Sequence, residues 1–152
     1  MTTGTEKLVA YCGLCCEDCF GYKGKIADLA KELRKELRQE KFDIMAKGIP
    51  FKEFDHYDEC YKVLGALVRL RCKNGCRSGG GNPFCPVRKC SQKKAYAGCW
   101  ECSDFECCNK LVFLQTNHGD AHIKNLRKLK KQGVKGFLQG KRDWYLKPRQ
   151  SA

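Results

Sequence analysis

At 152 residues and 17.3 kDa the chain is sized for one domain and is too short for a multidomain enzyme. It carries 30 Lys and Arg against 17 Asp and Glu, a formal charge of +13, and 13 cysteines. Its amino-terminal stretch lacks the basic start and apolar run of a secretory signal. No stretch reaches the ~18 apolar residues of a membrane span, so a cytoplasmic protein with no membrane partner is expected.

The first cysteine cluster is Tyr11-Cys12-Gly13-Leu14-Cys15-Cys16-Glu17-Asp18-Cys19, entered through Leu8, Val9 and Ala10. Cys12, Cys16 and Cys19 make CxxxCxxC, a spacing that lets three sulfurs converge from one loop. Gly13 supplies tolerance of positive φ there. Cys15, next to Cys16, reads as spare. Radical S-adenosylmethionine enzymes hold three irons of a [4Fe–4S] cluster with this spacing, but inside an α/β barrel, and no alternation of strands and helices follows Cys19. Zinc with a fourth ligand from far along the chain is the preferred reading, and an iron–sulfur cluster is the alternative.

Ile26, Leu29, Leu33 and Leu37 recur at helical spacing and predict a helix over about 26–47, ended by Gly48 and Pro50. Its other face alternates in charge, as a solvated face does. A second helix is predicted over about 51–70, with Phe54, Tyr57, Tyr61, Leu64, Leu67 and Val68 toward the first. His56 and Cys60, four apart on it, could share a metal but read as ordinary helix residues.

The 37 residues from Cys72 to Cys108 hold eight cysteines. Between Cys72 and Cys107 no apolar run is long enough for a buried helix or strand, so apolar burial alone is not expected to hold this segment. An odd cysteine total and tight CxxC and CxxxC spacings favour metal ligation over disulfides. Cys72 and Cys76 form CxxxC. The loop Ser78-Gly79-Gly80-Gly81-Asn82-Pro83 lacks the Lys-Ser/Thr ending of a P-loop and reads as a flexible linker. Cys85 and Cys90 bracket Pro86-Val87-Arg88-Lys89, and Cys99-Trp100-Glu101-Cys102 has zinc-knuckle spacing.

Beyond Leu111-Val112-Phe113-Leu114, the stretch His118-Gly119-Asp120 breaks the pattern, and a helix is predicted over 121–132 on Ile123, Leu126 and Leu129. Gly133 caps it, and a short last helix over 134–139 carries Phe137 and Leu138 inward. His118 and His122 read as turn residues, or as the histidine of a site with three cysteines. Residues 122–149 contain ten Lys or Arg and one acid. Lys124, Arg127, Lys128 and Lys131, with Trp144 and Tyr145, are candidates to bind nucleic acid or an acidic protein. The competing reading is a solvated helix face with an aromatic anchor.

The run Tyr11-Cys12-Gly13-Leu14-x-Cys16-x-x-Cys19, Cys72 to Cys76-Arg77-Ser78, Cys85-Pro86-Val87-Arg88-Lys89-Cys90 and Cys99-x-x-Cys102-x-x-Phe105-x-Cys107 resembles the cysteine-rich domain of unknown function 3795, a family of anaerobic bacteria and archaea. The tail from Asn125-Leu126 through Gly133-Val134 to Trp144 is similar to it as well. Ten cysteines fall on the pattern: Cys12, Cys16, Cys19, Cys72, Cys76, Cys85, Cys90, Cys99, Cys102 and Cys107. Cys15, Cys60 and Cys108 do not. The family commonly has CxxC where this chain has Cys72-x-x-x-Cys76, and Phe-Pro-Cys in place of Phe105-Glu106-Cys107. The resemblance implies metal binding and no particular activity.

The expected fold class is α plus irregular: a small helical domain with a metal-stabilised, zinc-knuckle-like segment and little regular β structure. One domain, 1–152, would comprise a helical insert at about 26–71, a cysteine-rich core at 72–108 and a basic helical tail at about 111–149. The ten cysteines would bind about two Zn²⁺. Cys12, Cys16 and Cys19 would join one later sulfur, and a second site would form among Cys72, Cys76, Cys85, Cys90, Cys99 and Cys102; one four-cysteine site with a binuclear six-cysteine zinc cluster, which would use all ten, is the less simple alternative. Two four-cysteine zinc sites would lower the net charge to about +9. Structural zinc supplies about 10–16 kcal/mol, so the metal-free chain should be unfolded over 72–108. The expected function is a zinc-binding module that binds a partner without catalysis. The alternative is an iron–sulfur protein in electron transfer or redox sensing. No catalytic residue is assigned, because the three histidines fall in neither HExxH nor HxE…PCxxC.

Overall fold

A computed structural model describes residues 4–144; Tyr145, Lys147 and Arg149 of the expected basic tail lie outside the described residues. The chain divides into two compact units, residues 20–73 and residues 1–19 with 74–152. Among the described residues the structure is mostly helical, and β pairing is limited to an isolated antiparallel bridge between Val9 and Cys15. No helix among them is long and apolar enough to cross a membrane.

The unit at 20–73 holds α1 (Phe20–Lys23), α2 (Lys25–Gln39), α3 (Phe42–Gly48) and α4 (Tyr57–Arg69), with a 3₁₀ stretch at Lys52–His56 leading into α4. The Arg71–Asp28 ion pair and the Arg38 Nη1 bond to Tyr61 Oη, 3.0 Å, run α2 and α4 antiparallel. Small residues make the contact line: Ala27, Ala30 and Gly65 are buried. The Arg34 guanidinium sits 4.5 Å from the Tyr61 ring centre, and a Cβ on Gly65 would stand 3.2 Å from it. Ile26, Leu29 and Leu33, the stripe that predicted α2, stay 46 %, 55 % and 48 % exposed. Close approach along alanine and glycine leaves those larger side chains at the margin of the interface. His56 and Cys60 are exposed, as ordinary helix residues are.

The single helix expected over 26–47 is broken in two. Lys41 takes a left-handed conformation, φ 50° and ψ 44°, between α2 and α3. The break brings Phe42 to 5.6 Å from the rings of both Phe54 and Tyr57, in a cluster that continues through Phe51. These ring contacts, among the half-buried Phe42, Phe54 and Tyr57, offset the ~1–2 kcal/mol that a left-handed residue other than glycine costs.

The other unit is built of short pieces. Turns of 3₁₀ helix lie at Glu6–Leu8, Cys16–Asp18, Cys76–Ser78, Cys99–Glu101, Phe105–Cys107 and Asn109–Leu114, with α5 (Pro86–Lys93), α6 (Gln115–His118) and α7 (Ala121–Gln139). Gly133, at φ 70° and ψ 175°, interrupts α7 where a helix end was expected, and Phe137 beyond it is fully buried. Val9, Val87, Trp100, Phe105, Leu111, Leu126, Leu129 and Phe137 form one apolar cluster. Apolar burial therefore anchors separate points of the segment between Cys72 and Cys107, although no continuous apolar run does. Three isolated side chains, Val87 on α5 and Trp100 and Phe105 on separate turns, do it, which a search for continuous apolar runs misses. A Cβ on Gly98 would stand 2.0 Å from the Trp100 ring, so that glycine is what lets the indole lie against the chain.

Two arginines fasten the irregular backbone. Arg77 donates from Nε to Val9 O and from Nη2 to Ala97 O, both at 2.6 Å, with its guanidinium 4.3 Å from the Tyr11 ring centre. Arg88 donates to Cys76 O at 2.8 Å, Gly80 O at 2.9 Å and Asn82 O at 2.7 Å. The glycine-rich loop expected as a flexible linker is thereby tied at two carbonyls, those of Gly80 and Asn82. Burial and charge-assisted bonds of this kind satisfy backbone groups that no helix or sheet serves.

Lys41→Gly should raise unfolding stability by up to about 1 kcal/mol, because glycine adopts the left-handed conformation without the Cβ penalty. Chemical denaturation would measure it, and a loss of stability would contradict the strain assigned to that junction.

Candidate metal centre

Two CxxC segments adopt the same turn. In Cys16-Glu17-Asp18-Cys19 the Cys19 N–H donates to Cys16 O at 3.0 Å, and in Cys99-Trp100-Glu101-Cys102 the Cys102 N–H donates to Cys99 O at 3.0 Å. Both run Cys16–Asp18 and Cys99–Glu101 as 3₁₀ turns and both end on an extended cysteine. Side chains three apart eclipse on a 3₁₀ turn, so each turn presents its cysteine pair on one side. The Cys99 N–H also donates to Tyr11 O at 2.8 Å, fixing the second turn against the Cys12 loop. Gly13 has the positive φ expected of it, 85°.

The sulfurs fall into two groups. Cys12 is half-buried as a residue, yet its sulfur is enclosed by protein, and burial pushes its thiol up to about 12, with Cys85 and Cys99 adding like charge. Cys99 is likewise raised by burial, with Cys108, Cys90 and Cys102 adding to it, while Ser91 Oγ lies 3.7 Å from its sulfur. Cys12, Cys85, Cys90, Cys99, Cys102 and Cys108 thus form one electrostatically linked constellation inside the unit at 1–19 and 74–152.

Cys16 belongs elsewhere. Its sulfur accepts the Cys76 N–H at 3.4 Å and a hydrogen bond from the Cys76 side chain. The side-chain bond chiefly lowers its thiol to about 6; burial opposes this, and the Cys76 N–H and the Arg77 guanidinium assist. The CxxxCxxC loop therefore turns Cys12 and Cys16 toward different sulfurs. Cys19 is half-buried at the end of its turn, and Cys72, in the other unit, is half-buried with its N–H bonded to Gly21 O at 2.9 Å. Among the described residues, no three or more Cys, His, Asp or Glu side chains are grouped so that they could hold a metal ion as they stand.

The comparison with known families follows from this chain of cysteines. The family described as "Protein of unknown function (DUF3795)" matches residues 8–112, about two thirds of the chain and both cysteine clusters. The chain belongs to the DUF3795 family. No curated protein and no solved structure matches it. The tail residues from Asn125 to Trp144, read as similar to the family, lie beyond the matched stretch.

Within this DUF3795 chain, the cysteines outside the family pattern differ sharply in placement. Cys15 is buried at 1 % exposure and Cys60 is exposed, whereas Cys108 is half-buried against the apolar cluster and acts on Cys99. Cys107, the neighbour that fits the pattern, is exposed with its sulfur 3.7 Å from Asp104 O. Cys108, which lies off the family pattern, is thus nearer to the other sulfurs than spacing suggests, directly before the Leu111 patch. His122 is 1 % exposed, with neither ring nitrogen hydrogen-bonded, and burial lowers its pKa. His118 Nδ1 lies 2.7 Å from Trp144 O and its ring packs edge-on to that indole at 4.7 Å.

The basic residues of α7 are engaged within the fold. Lys124 pairs with Asp120, and Arg127 pairs with Glu106 through Nε at 2.7 Å and Nη2 at 2.5 Å. Lys128 Nζ reaches Asp143 Oδ2 at 2.6 Å and Lys141 O at 2.8 Å, while Lys131 is exposed. Arg142 holds Asp18 at 2.8 and 3.0 Å and Glu17 at 3.3 Å, both acids lying between Cys16 and Cys19. The cationic tail thus spends much of its charge on its own carboxylates and carbonyls.

In the reduced, metal-free protein, Cys76→Ala should return the Cys16 thiol from about 6 toward 9.0, since the Cys76 hydrogen bond is the main cause of its depression. Ultraviolet thiolate absorbance against pH, compared with Cys16→Ala, measures it. A depressed thiol stabilises the fold above 9.0, progressively less as pH falls toward about 6, and not at all below. Cys12 has the opposite sign: its contribution is full below 9.0 and is lost as pH rises toward about 12.

Proposed function

We propose that this DUF3795 chain is a metal-binding module in which zinc, held by thiolates of the Cys12, Cys85, Cys90, Cys99, Cys102 and Cys108 constellation, is structural. The observation that supports the reading is that Cys12, Cys85, Cys99 and Cys108, from four separated stretches of chain, pack against one apolar cluster, with Cys90 and Cys102 acting electrostatically on Cys99. Enclosed thiols such as Cys12 and Cys99 resist ionisation on their own, and a divalent cation is what makes a cluster of thiolates tolerable there. Sulfur donors suit Zn²⁺, and the CxxC turn at Cys99–Cys102 has the form that structural zinc sites use. The division of Cys12 from Cys16 weighs against a [4Fe–4S] cluster held by the CxxxCxxC loop, because three of its sulfurs would have to face one centre.

Structural zinc here has a chemical consequence. Each ligand must lose its proton to bind, so affinity should fall steeply on acidification, most of all through Cys12. The metal would close a centre whose apolar anchors, Val87, Trp100 and Phe105, are already in place but whose turns are short.

Elemental analysis of protein purified without oxygen should find zinc, with no brown colour and no acid-labile sulfide. Cys99→Ser should lower bound zinc by about one equivalent, the loss expected when a four-coordinate site is opened, while the exposed Cys60→Ser should leave it unchanged. Chelation under reducing conditions should make residues 72–108 protease-sensitive. Iron with sulfide, or unchanged zinc in Cys99→Ser, would overturn the reading.

A further inference from the structure

Lys124, Arg127 and Lys128 of α7 face carboxylates of their own chain, whereas the cations of α5 do not. No Asp or Glu occurs between Glu59 and Glu101, and the part of that run in the unit at 1–19 and 74–152 holds Arg77, Arg88, Lys89, Lys93 and Lys94. Both arginines are committed to backbone carbonyls. Lys89, Lys93 and Lys94 are exposed, and among the described residues none of them pairs with a carboxylate. Lys89 and Lys93 lie one helical turn apart, on the side of α5 away from the buried Val87 and Ser91, and Lys94 follows at its end.

Two aromatic side chains flank these lysines. Phe84 is 76 % exposed, with Lys89 Nζ 5.6 Å from its ring centre. The half-buried Tyr96 ring stands in the same relation to Lys94 Nζ, also at 5.6 Å. The loop that carries Phe84 is braced: Arg88 holds Gly80 O and Asn82 O, and the Phe84 N–H donates to Asn82 Oδ1 at 2.9 Å. A bare ring fixed in place beside an ammonium offers stacking surface at small ordering cost. An acidic peptide would meet the lysines but leave Phe84 without a partner, and a duplex keeps its bases stacked inside. A single strand brings phosphates and free base faces together, which matches both halves of the patch. A zinc centre with four thiolates would cancel about two of the five positive charges and leave the stretch basic.

We propose that this face of α5 binds single-stranded nucleic acid, with bases stacked on Phe84 and Tyr96 and phosphates held by Lys89, Lys93 and Lys94. Binding requires α5 and its loop to be folded but no particular metal, so it is independent of the zinc assignment.

The test titrates the full chain, as purified with its metal, into fluorescein-labelled oligouridylate of about a dozen nucleotides, read by anisotropy at several salt concentrations. Metal content and helical circular dichroism of every variant are measured in parallel. Affinity should fall with salt, and the triple variant Lys89→Gln, Lys93→Gln and Lys94→Gln should flatten the logarithmic salt slope by about two, at about 0.7 for each single-strand phosphate contact. Phe84→Ala should weaken binding roughly five- to hundredfold with the slope retained, and Phe84→Tyr should preserve it. The same pattern in protein that holds iron instead of zinc would support this interface while the zinc assignment failed. The proposal is overturned if no binding occurs at low salt, if folded Phe84→Ala binds like the parent, or if a duplex of the same length binds as tightly. It is also overturned if polyglutamate displaces the probe better than unlabelled oligouridylate, which would make the partner an acidic protein. Loss of binding in Lys124→Gln with Lys131→Gln, but not in the α5 triple variant, would overturn it as well by moving the interface to α7.

Discussion

Everything in the unit at 1–19 and 74–152 depends on how a handful of isolated apolar side chains meet the buried face of α7 without a sheet to align them. Val9, Trp100 and Phe105 from short irregular stretches and Val87 from α5 pack with Leu111, Leu126, Leu129 and Phe137. Each is worth on the order of 1.5–3 kcal/mol when removed from water, enough to fix a turn but not to order the loops between turns. That leaves the backbone as the problem to be solved, since residues outside helices have unpaired amides and carbonyls. Arg77 and Arg88 solve part of it by donating to five carbonyls between them.

The sulfur geometry follows from those anchors. Trp100 lies inside the Cys99–Cys102 turn, and its burial against Gly98 sets where that CxxC points. The Cys99 N–H bond to Tyr11 O then brings the Cys12 loop alongside, which is why Cys12 answers to Cys85 and Cys99 rather than to its own CxxxCxxC partners. Arg77 sits at the junction of both sulfur groups: it braces Val9 and stacks near Tyr11 on one side, and follows Cys76 on the other. The same residue therefore shapes the backbone near Cys12 and the electrostatics of Cys16.

Part of the basic tail's formal charge is met by carboxylates of the same chain. Its excess of lysine and arginine suggested a polyanionic partner, yet Arg127, Lys128 and Arg142 are directed at Glu106, Asp143 and Asp18. Exposed pairs of that kind contribute little to stability, but they reduce the field available for a partner. Arg142 also neutralises the acids between Cys16 and Cys19, so the tail reinforces a cysteine turn more than 120 residues earlier in the chain.

Helical content, the scarcity of strands, the helix break at Gly133, the zinc-knuckle spacing of Cys99–Cys102 and membership in DUF3795 were legible in the residues themselves, because each is written in local spacing or in residue chemistry. Tertiary structure alone decided the rest. The break at Lys41 arises from aromatic contacts with residues 12 or more positions away, and the exposure of Ile26, Leu29 and Leu33 from how closely Ala27, Ala30 and Gly65 let two helices approach. The grouping of the cysteines, including the entry of Cys108 beside Cys99 and the pairing of Cys16 with Cys76, could not be read from spacing. Spacing constrains which sulfurs share a turn, but which turns meet is set by long-range packing of single side chains that leave no periodic signal.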